Sequence, residues 1–152
     1  MKNKKESKIT VEDTITKNKL KILKELKTKT NIKYVEVAYS GSGDSGAIDG
    51  VTFLDAAKES IKTKDIPNIN IKYDLLTNGW WSDKDVASCT KKESNLSEAI
   101  DDFCWSVLER KKGGWEINDG SEGYFMFDVD NGTVVLNHTE FYTESTEYTD
   151  EI

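Results

Sequence analysis

The chain predicts an α+β fold: an antiparallel sheet of about four to five strands with two main helices packed on one face. Three observations carry this. Two segments, 10–30 and 95–112, repeat apolar residues at three- and four-residue spacing. Several others alternate with the two-residue period of a strand. The span GGWEINDGSEGYFMFDVDNGTVVLNH (113–138) puts an Asn-Gly pair between two such alternating runs, the preferred chemistry of a tight hairpin.

Residues 1–8 (MKNKKESK) have no apolar periodicity and read as a disordered basic arm; residues 9–152 read as one domain. From Thr10 to Thr30, Ile15, Leu20, Ile22, Leu23 and Leu26 form the apolar set of a helix, with lysines opposite. Such a basic amphipathic helix is expected to lie on a sheet. Ile32–Tyr39 is β-branched and aromatic, hence a strand. Ser40-Gly-Ser-Gly-Asp-Ser-Gly46 is expected to leave the ladder as a loop, and Ala47–Phe53 to return as a paired strand. Asp55–Lys62 is expected to form a short helical turn. Residues 63–94 read as a variable insertion: Ile69–Tyr73 alternates like a strand behind Pro67, 77–82 holds a turn with Trp80 and Trp81, and Lys84–Ser94 reads as polar loop.

The second helix is the clearest element. Ser94 or Asn95 caps it, and Leu96, Ile100, Phe103, Cys104, Val107 and Leu108 form its apolar face. Acids gather at its start, Arg110, Lys111 and Lys112 at its end, and Gly113 stops it. After a loop over 115–123, Tyr124–Val129 and Thr133–His138 pair through a two-residue type I′ turn at Asn131-Gly132. The strand is expected to run to about Thr143, before an acidic tail.

Charge is uneven. The chain carries −7 overall, yet residues 1–33 hold eleven lysines against four acids, leaving −14 on the rest. A nucleic-acid binder concentrates positive charge on its folded face, so direct nucleic-acid binding is not expected. No apolar run is long enough for a membrane helix, and the basic start lacks the apolar segment of a signal peptide. Cys89 and Cys104 match neither a disulfide framework nor a metal spacing, and read as two reduced thiols, one of them buried, of a cytoplasmic protein.

Several motifs can be set aside. The Ser40–Gly46 loop has no Walker lysine, which argues against a P-loop. Gly43-Asp44-Ser45-Gly46 resembles the stretch around the serine of chymotrypsin-like proteases, but the single His138 lies after it. Asp128-x-Asp130-x-Gly132 starts like an EF-hand loop, yet its glycine is one place early and Thr139 stands where the closing glutamate belongs. The four tryptophans, without interleaved basic residues, read as packing rather than base-stacking platforms.

What remains is acidic. Asp44, Ser45, Glu116, Asp119, Glu140, Tyr142 and Glu144 are the candidate binding residues. Asp44 and Ser45 lie in the Gly/Ser loop, Glu116 and Asp119 form an acidic cluster with Glu122, Asp128 and Asp130 that Asp44 or Asp49 could join, and Glu140, Tyr142 and Glu144 follow His138 closely. Asp44, Asp119, Asp128 and His138 are the candidate ligands if a divalent cation binds; no other cofactor is expected. VEVAYSGSGDSGAIDG, AIDDFCWSVLERKKGGWEINDGSEGYFMFDV and LNHTEFYTES together resemble an uncharacterised domain family of bacteria, plasmids and phages. The resemblance runs from about Val35 to Ser145, and Lys111-Lys112 replaces the aromatic or histidine residues that often precede the glycine pair. It transfers no catalytic role and implies an accessory role on mobile elements. The expected function is non-enzymatic: an inhibitor or adaptor whose acidic face engages a basic, nucleic-acid-binding surface of a host or defence enzyme. The alternative is a metal-assisted hydrolase or small-ligand enzyme using the acidic loops and His138.

Overall fold

The computed structural model describes residues 9–42, 45–77, 86–111 and 120–141, without the side chains of Ser42, Ser45 and Lys111. Their order is α1 (Val11–Lys29), β1 (Tyr34–Ser42), β2 (Ser45–Leu54), β3 (Asn70–Leu76), β4 (Cys89–Asn95), α2 (Leu96–Lys111), β5 (Ser121–Asp128) and β6 (Thr133–Glu140). Four strands form one antiparallel sheet, β2-β1-β5-β6, and β3 pairs with β4 in a second. This is the α+β class the sequence predicts, with the strands divided between two sheets.

Helix α1 starts where Thr10 accepts a hydrogen bond from the Asp13 amide at 3.0 Å, leaving Glu12 and Asp13 at the positive end of the dipole. Its buried stripe is Val11, Thr14, Ile15, Asn18, Ile22, Leu23 and Leu26. Leu20, expected on that face, is 57% exposed. At about 100° per residue, it sits on the far side of the helix from Ile22. Helix α2 is capped by Asn95, whose Oδ1 accepts from the Glu98 amide at 2.8 Å. Its apolar face meets the four-stranded sheet, with Phe103 edge-on to Phe127 at 5.7 Å. Arg110 Nε lies 3.5 Å from Glu12 Oε1, joining the C-terminal end of α2 to the start of α1.

Strand parity builds the core. Val35, Val37, Tyr39, Phe53, Phe125 and Phe127 all face the helices and are nearly inaccessible. Each side chain of this size contributes about 1.5–3 kcal/mol by leaving water.

Four local expectations are corrected. The described part of the Gly/Ser segment stays in the ladder: pairing continues through Gly41–Gly46 to Ser42–Ser45. Two facing strands can hold such residues when the register is carried by the apolar positions behind them. Asp55–Lys62 forms no helix. Asp55 Oδ1 accepts from the amides of Ala57 (2.9 Å) and Glu59 (3.0 Å), an Asx-type turn with Lys58 at φ 61°, and the 3-10 turn comes later, at Thr63–Asp65. Within the supposed polar loop, Cys89–Asn95 is strand β4, and Ser121–Gly123 likewise belongs to β5. The 129–132 connection is a four-residue loop, because Gly132 has φ 68° while Asn131 does not adopt the positive φ that type I′ demands. Trp80, Trp81 and Trp115 lie outside the described residues; Trp105 is half-buried on the core.

Candidate functional site

Of the residues singled out from sequence, Asp44, Glu116, Asp119, Tyr142 and Glu144 lie outside the described residues. Ser45 begins β2 opposite Ser42. Asp128, His138 and Glu140 are described, and the structure separates the first from the other two. Asp128 closes β5 on the solvent side, where its carboxylate accepts from the Asn131 amide (3.2 Å) and from Asn131 Nδ2 (2.8 Å). His138 points to the helix side of β6, five residues along the hairpin. Opposite faces of a sheet cannot share one cation. Among the described residues, no group of three or more His, Cys, Asp and Glu could hold a metal ion.

His138 belongs to a row across the sheet: Ile48, Tyr39, Gly123, His138. Gly123 supplies no side chain between Tyr39 and His138, so the Tyr39 ring lies across it and stacks on the imidazole, centroids 5.8 Å apart and planes at 17°. The Tyr39 hydroxyl hydrogen-bonds His138 Nδ1. On the other side, His138 Nε2 stands 3.4 Å from Glu140 Oε1, too poorly aligned to count as a hydrogen bond. Burial, aided by the Glu140 charge, pushes the Tyr39 phenol up to about 12. At 1% exposure and held protonated, Tyr39 anchors the sheet and offers no nucleophile.

The opposite face of the same sheet is the more exposed one, although the Lys58 ammonium lies over its Tyr34 ring, 4.9 Å from the centroid. It carries Glu36 on β1, Asp49 at the β2 bulge, and Glu122 and Asp128 on β5. Ser40 donates to Asp49 at 3.2 Å, holding that carboxylate on the outer side. Between and beside these acids stand Tyr34, Tyr124, Met126 and Val135; Tyr124 is 39% exposed and Val135 59%. The strands β1, β2, β5 and β6 contain five acids, the fifth being Glu140, and neither Lys nor Arg. An acidic face with aromatic and aliphatic groups open to solvent is suited to contact with a basic surface. Sequence reasoning counted Asp49 and Glu122 among loop acids and missed Glu36. Parity signals Glu36 and Glu122, each out of phase with the buried positions of its strand, whereas Asp49 shares the parity of buried Phe53 and reaches the outer side only through the bulge.

Positive charge lies on the other structural half. Helix α1 with β3 and β4 carries Lys17, Lys19, Lys21, Lys24, Lys27, Lys29, Lys72, Lys91 and Lys92 against Glu12, Asp13, Glu25, Asp74 and Glu93. Asp74 is buried between Lys91 (2.9 Å) and Lys17 (3.4 Å), and the Lys91 hydrogen bond is the main reason its carboxyl is held below the usual range. Tyr73 and Lys92 (2.7 Å) both bind Asp102, clamping this hairpin to α2.

Residues 14–152 match the family described as "Family of unknown function (DUF6878)", and the chain belongs to that family. No curated protein and no solved structure matches it.

Proposed function

We propose that this DUF6878 member is a non-enzymatic binding protein, an inhibitor or adaptor encoded by a mobile element. Its outer sheet face engages a basic, nucleic-acid-binding surface of a host or defence enzyme in the cytoplasm. One observation carries the reading: Glu36, Asp49, Glu122 and Asp128 share the solvent side of a sheet whose strands hold no Lys or Arg. Side chains on one face recur about every 7 Å along a strand, so a rigid sheet can present fixed carboxylates to lysine and arginine side chains that otherwise meet phosphates. Exposed Tyr124 and Val135 add the apolar contact that charge alone does not provide. Among the described residues, no helix is long and apolar enough to cross a membrane.

A hydrolytic reading centred on His138 finds little to work with among the described residues. Its nearest polar neighbours are a buried, protonated tyrosine and Glu140, and Asp128 lies on the other face.

The test is affinity capture from host lysate with the wild-type chain and with the variant E36Q/D49N/E122Q/D128N. The wild type is expected to retain a basic nucleic-acid-processing protein that salt releases, and the variant to retain several-fold less. Equal retention by both would remove the proposal.

A further inference from the structure

We infer that the free edge of β6 accepts an extended segment of the partner as a fifth strand, with side chains alternating between apolar and basic. The inference rests on the acidic-face reading and adds the mode of attachment.

Two of the other three edges are obstructed, and the third, that of β4, carries Lys91 and Lys92. The outer edge of β3 is sealed by α1, where Asn18 Nδ2 donates to the Asp74 carbonyl at 2.8 Å and Lys21 Nζ to the Lys72 carbonyl at 3.0 Å. The edge of β2 is bulged beside Asp49 and returns on itself, with a Leu54–Ser60 bridge and the Ile61 amide donating to the Phe53 carbonyl at 2.8 Å. Among the described residues, strand β6 has none of these protections. Its register with β5 is unbroken over eight residues, and TVVLNHTE contains no Pro, no Lys and no bulge.

Its hydrogen-bonding direction follows from two contacts. The Phe141 amide donates to the Gly120 carbonyl at 2.9 Å, and the Asn137 carbonyl faces Gly123, so the odd-numbered residues address β5. Val134, Leu136, His138 and Glu140 therefore direct their amides and carbonyls away from the sheet. No bond to these groups is seen among the described residues.

The flanking chemistry selects the occupant. On the helix side, half-buried Val134 and Leu136 end the core, and an added strand would extend it with apolar side chains. On the solvent side, Glu122 and Asp128 sit one strand in, about 10 Å from an added backbone, within reach of Lys or Arg. A second copy of this chain would bring its own carboxylates against these, which disfavours self-pairing.

The experiment is amide hydrogen exchange by NMR on the full chain, alone and with a capped peptide of about ten residues alternating Lys and Val. In the free protein, the amides of Val134, Leu136, His138 and Glu140 should exchange at least about tenfold faster than those of Val135, Asn137 and Thr139. The peptide should slow that first set about tenfold or more, a peptide with Glu for Lys should not, and Val135→Lys should weaken the effect several-fold. Protection already present in the dilute protein, or protection that rises with its own concentration, would overturn the inference. Salt-sensitive shifts confined to the residues around Glu36, Asp49, Glu122 and Asp128, with the β6 edge unprotected, would overturn strand addition and leave the acidic face standing. Edge protection that persists undiminished in E36Q/D49N/E122Q/D128N would overturn the acidic-face reading instead.

Discussion

Gly123 and Gly50 lie two strands apart in one sheet and make opposite demands. A Cβ on Gly123 would meet the Asn137 carbonyl oxygen at 2.1 Å and the Tyr39 hydroxyl at 2.6 Å, whereas one on Gly50 would meet nothing within 4 Å. Gly123→Ala should therefore cost at least about 2 kcal/mol through forced displacement of β6 or Tyr39. Gly50→Ala should be neutral or stabilising by a few tenths of a kcal/mol. Paired urea titrations check both. Tyr39→Phe should cost about 1–2 kcal/mol, because His138 Nδ1 loses its partner inside the sheet. The phenols also set an alkaline limit. Burial raises both Tyr39 and Tyr73 to about 12, Tyr73 with help from Asp102, against about 10 in the unfolded chain. A group raised on folding stabilises fully below its unfolded value, so this contribution should persist to about pH 10 and disappear between about 10 and 12. Denaturation midpoints should fall across that window, and by less in Y39F/Y73F. The Tyr39–His138 contact was not legible in sequence, since its members are ninety-nine residues apart and meet only through the β1-β5-β6 register.

At the scale of elements, α1 does more than bury a stripe. Asn18 is a polar residue in the middle of that stripe, 4% exposed, and its amide occupies the Asp74 carbonyl on the outer edge of β3. Asn18→Ala should cost about 1–2 kcal/mol and speed exchange along the β3–β4 hairpin, read by hydrogen exchange. Loss without a local change in exchange would contradict the sealing role. Asp74 adds an acid limb: its depressed carboxyl, held by Lys91 and Lys17, stabilises above the usual carboxylate range and ceases to do so as pH falls below about 4. Helix α2 and the pairing of β5 with β6 could be read from periodicity and caps because each is locally consistent, though the turn between the strands is two residues longer than its Asn-Gly pair suggested. Strand β4 could not. CTKKESN has almost no apolar alternation, and what orders it is cross-strand pairing, Asp74 with Lys91 and Tyr73 with Lys92, plus the clamp onto Asp102. Leu20 failed for a simpler reason, since helical phase rather than hydrophobicity decides which leucine is buried.

For the whole molecule, the sequence showed a basic N-terminal fifth and an acidic remainder, and the fold turned that into two chemically different sides. The lysines of α1 gather with those of β3 and β4, while the strands of the four-stranded sheet hold carboxylates and no Lys or Arg. The sign of the surface was thus legible, but its location was not, because loops attract attention and the decisive acids are placed by strand parity and, at Asp49, by a bulge. The central claim is that this sheet face binds a basic partner through Glu36, Asp49, Glu122 and Asp128. Its most direct test is the salt dependence of affinity for the captured partner, measured for the wild type and for E36Q/D49N/E122Q/D128N. A steep loss of wild-type affinity with rising salt, and a weaker, nearly flat dependence in the variant, are expected. Parallel salt slopes at equal affinity would contradict it.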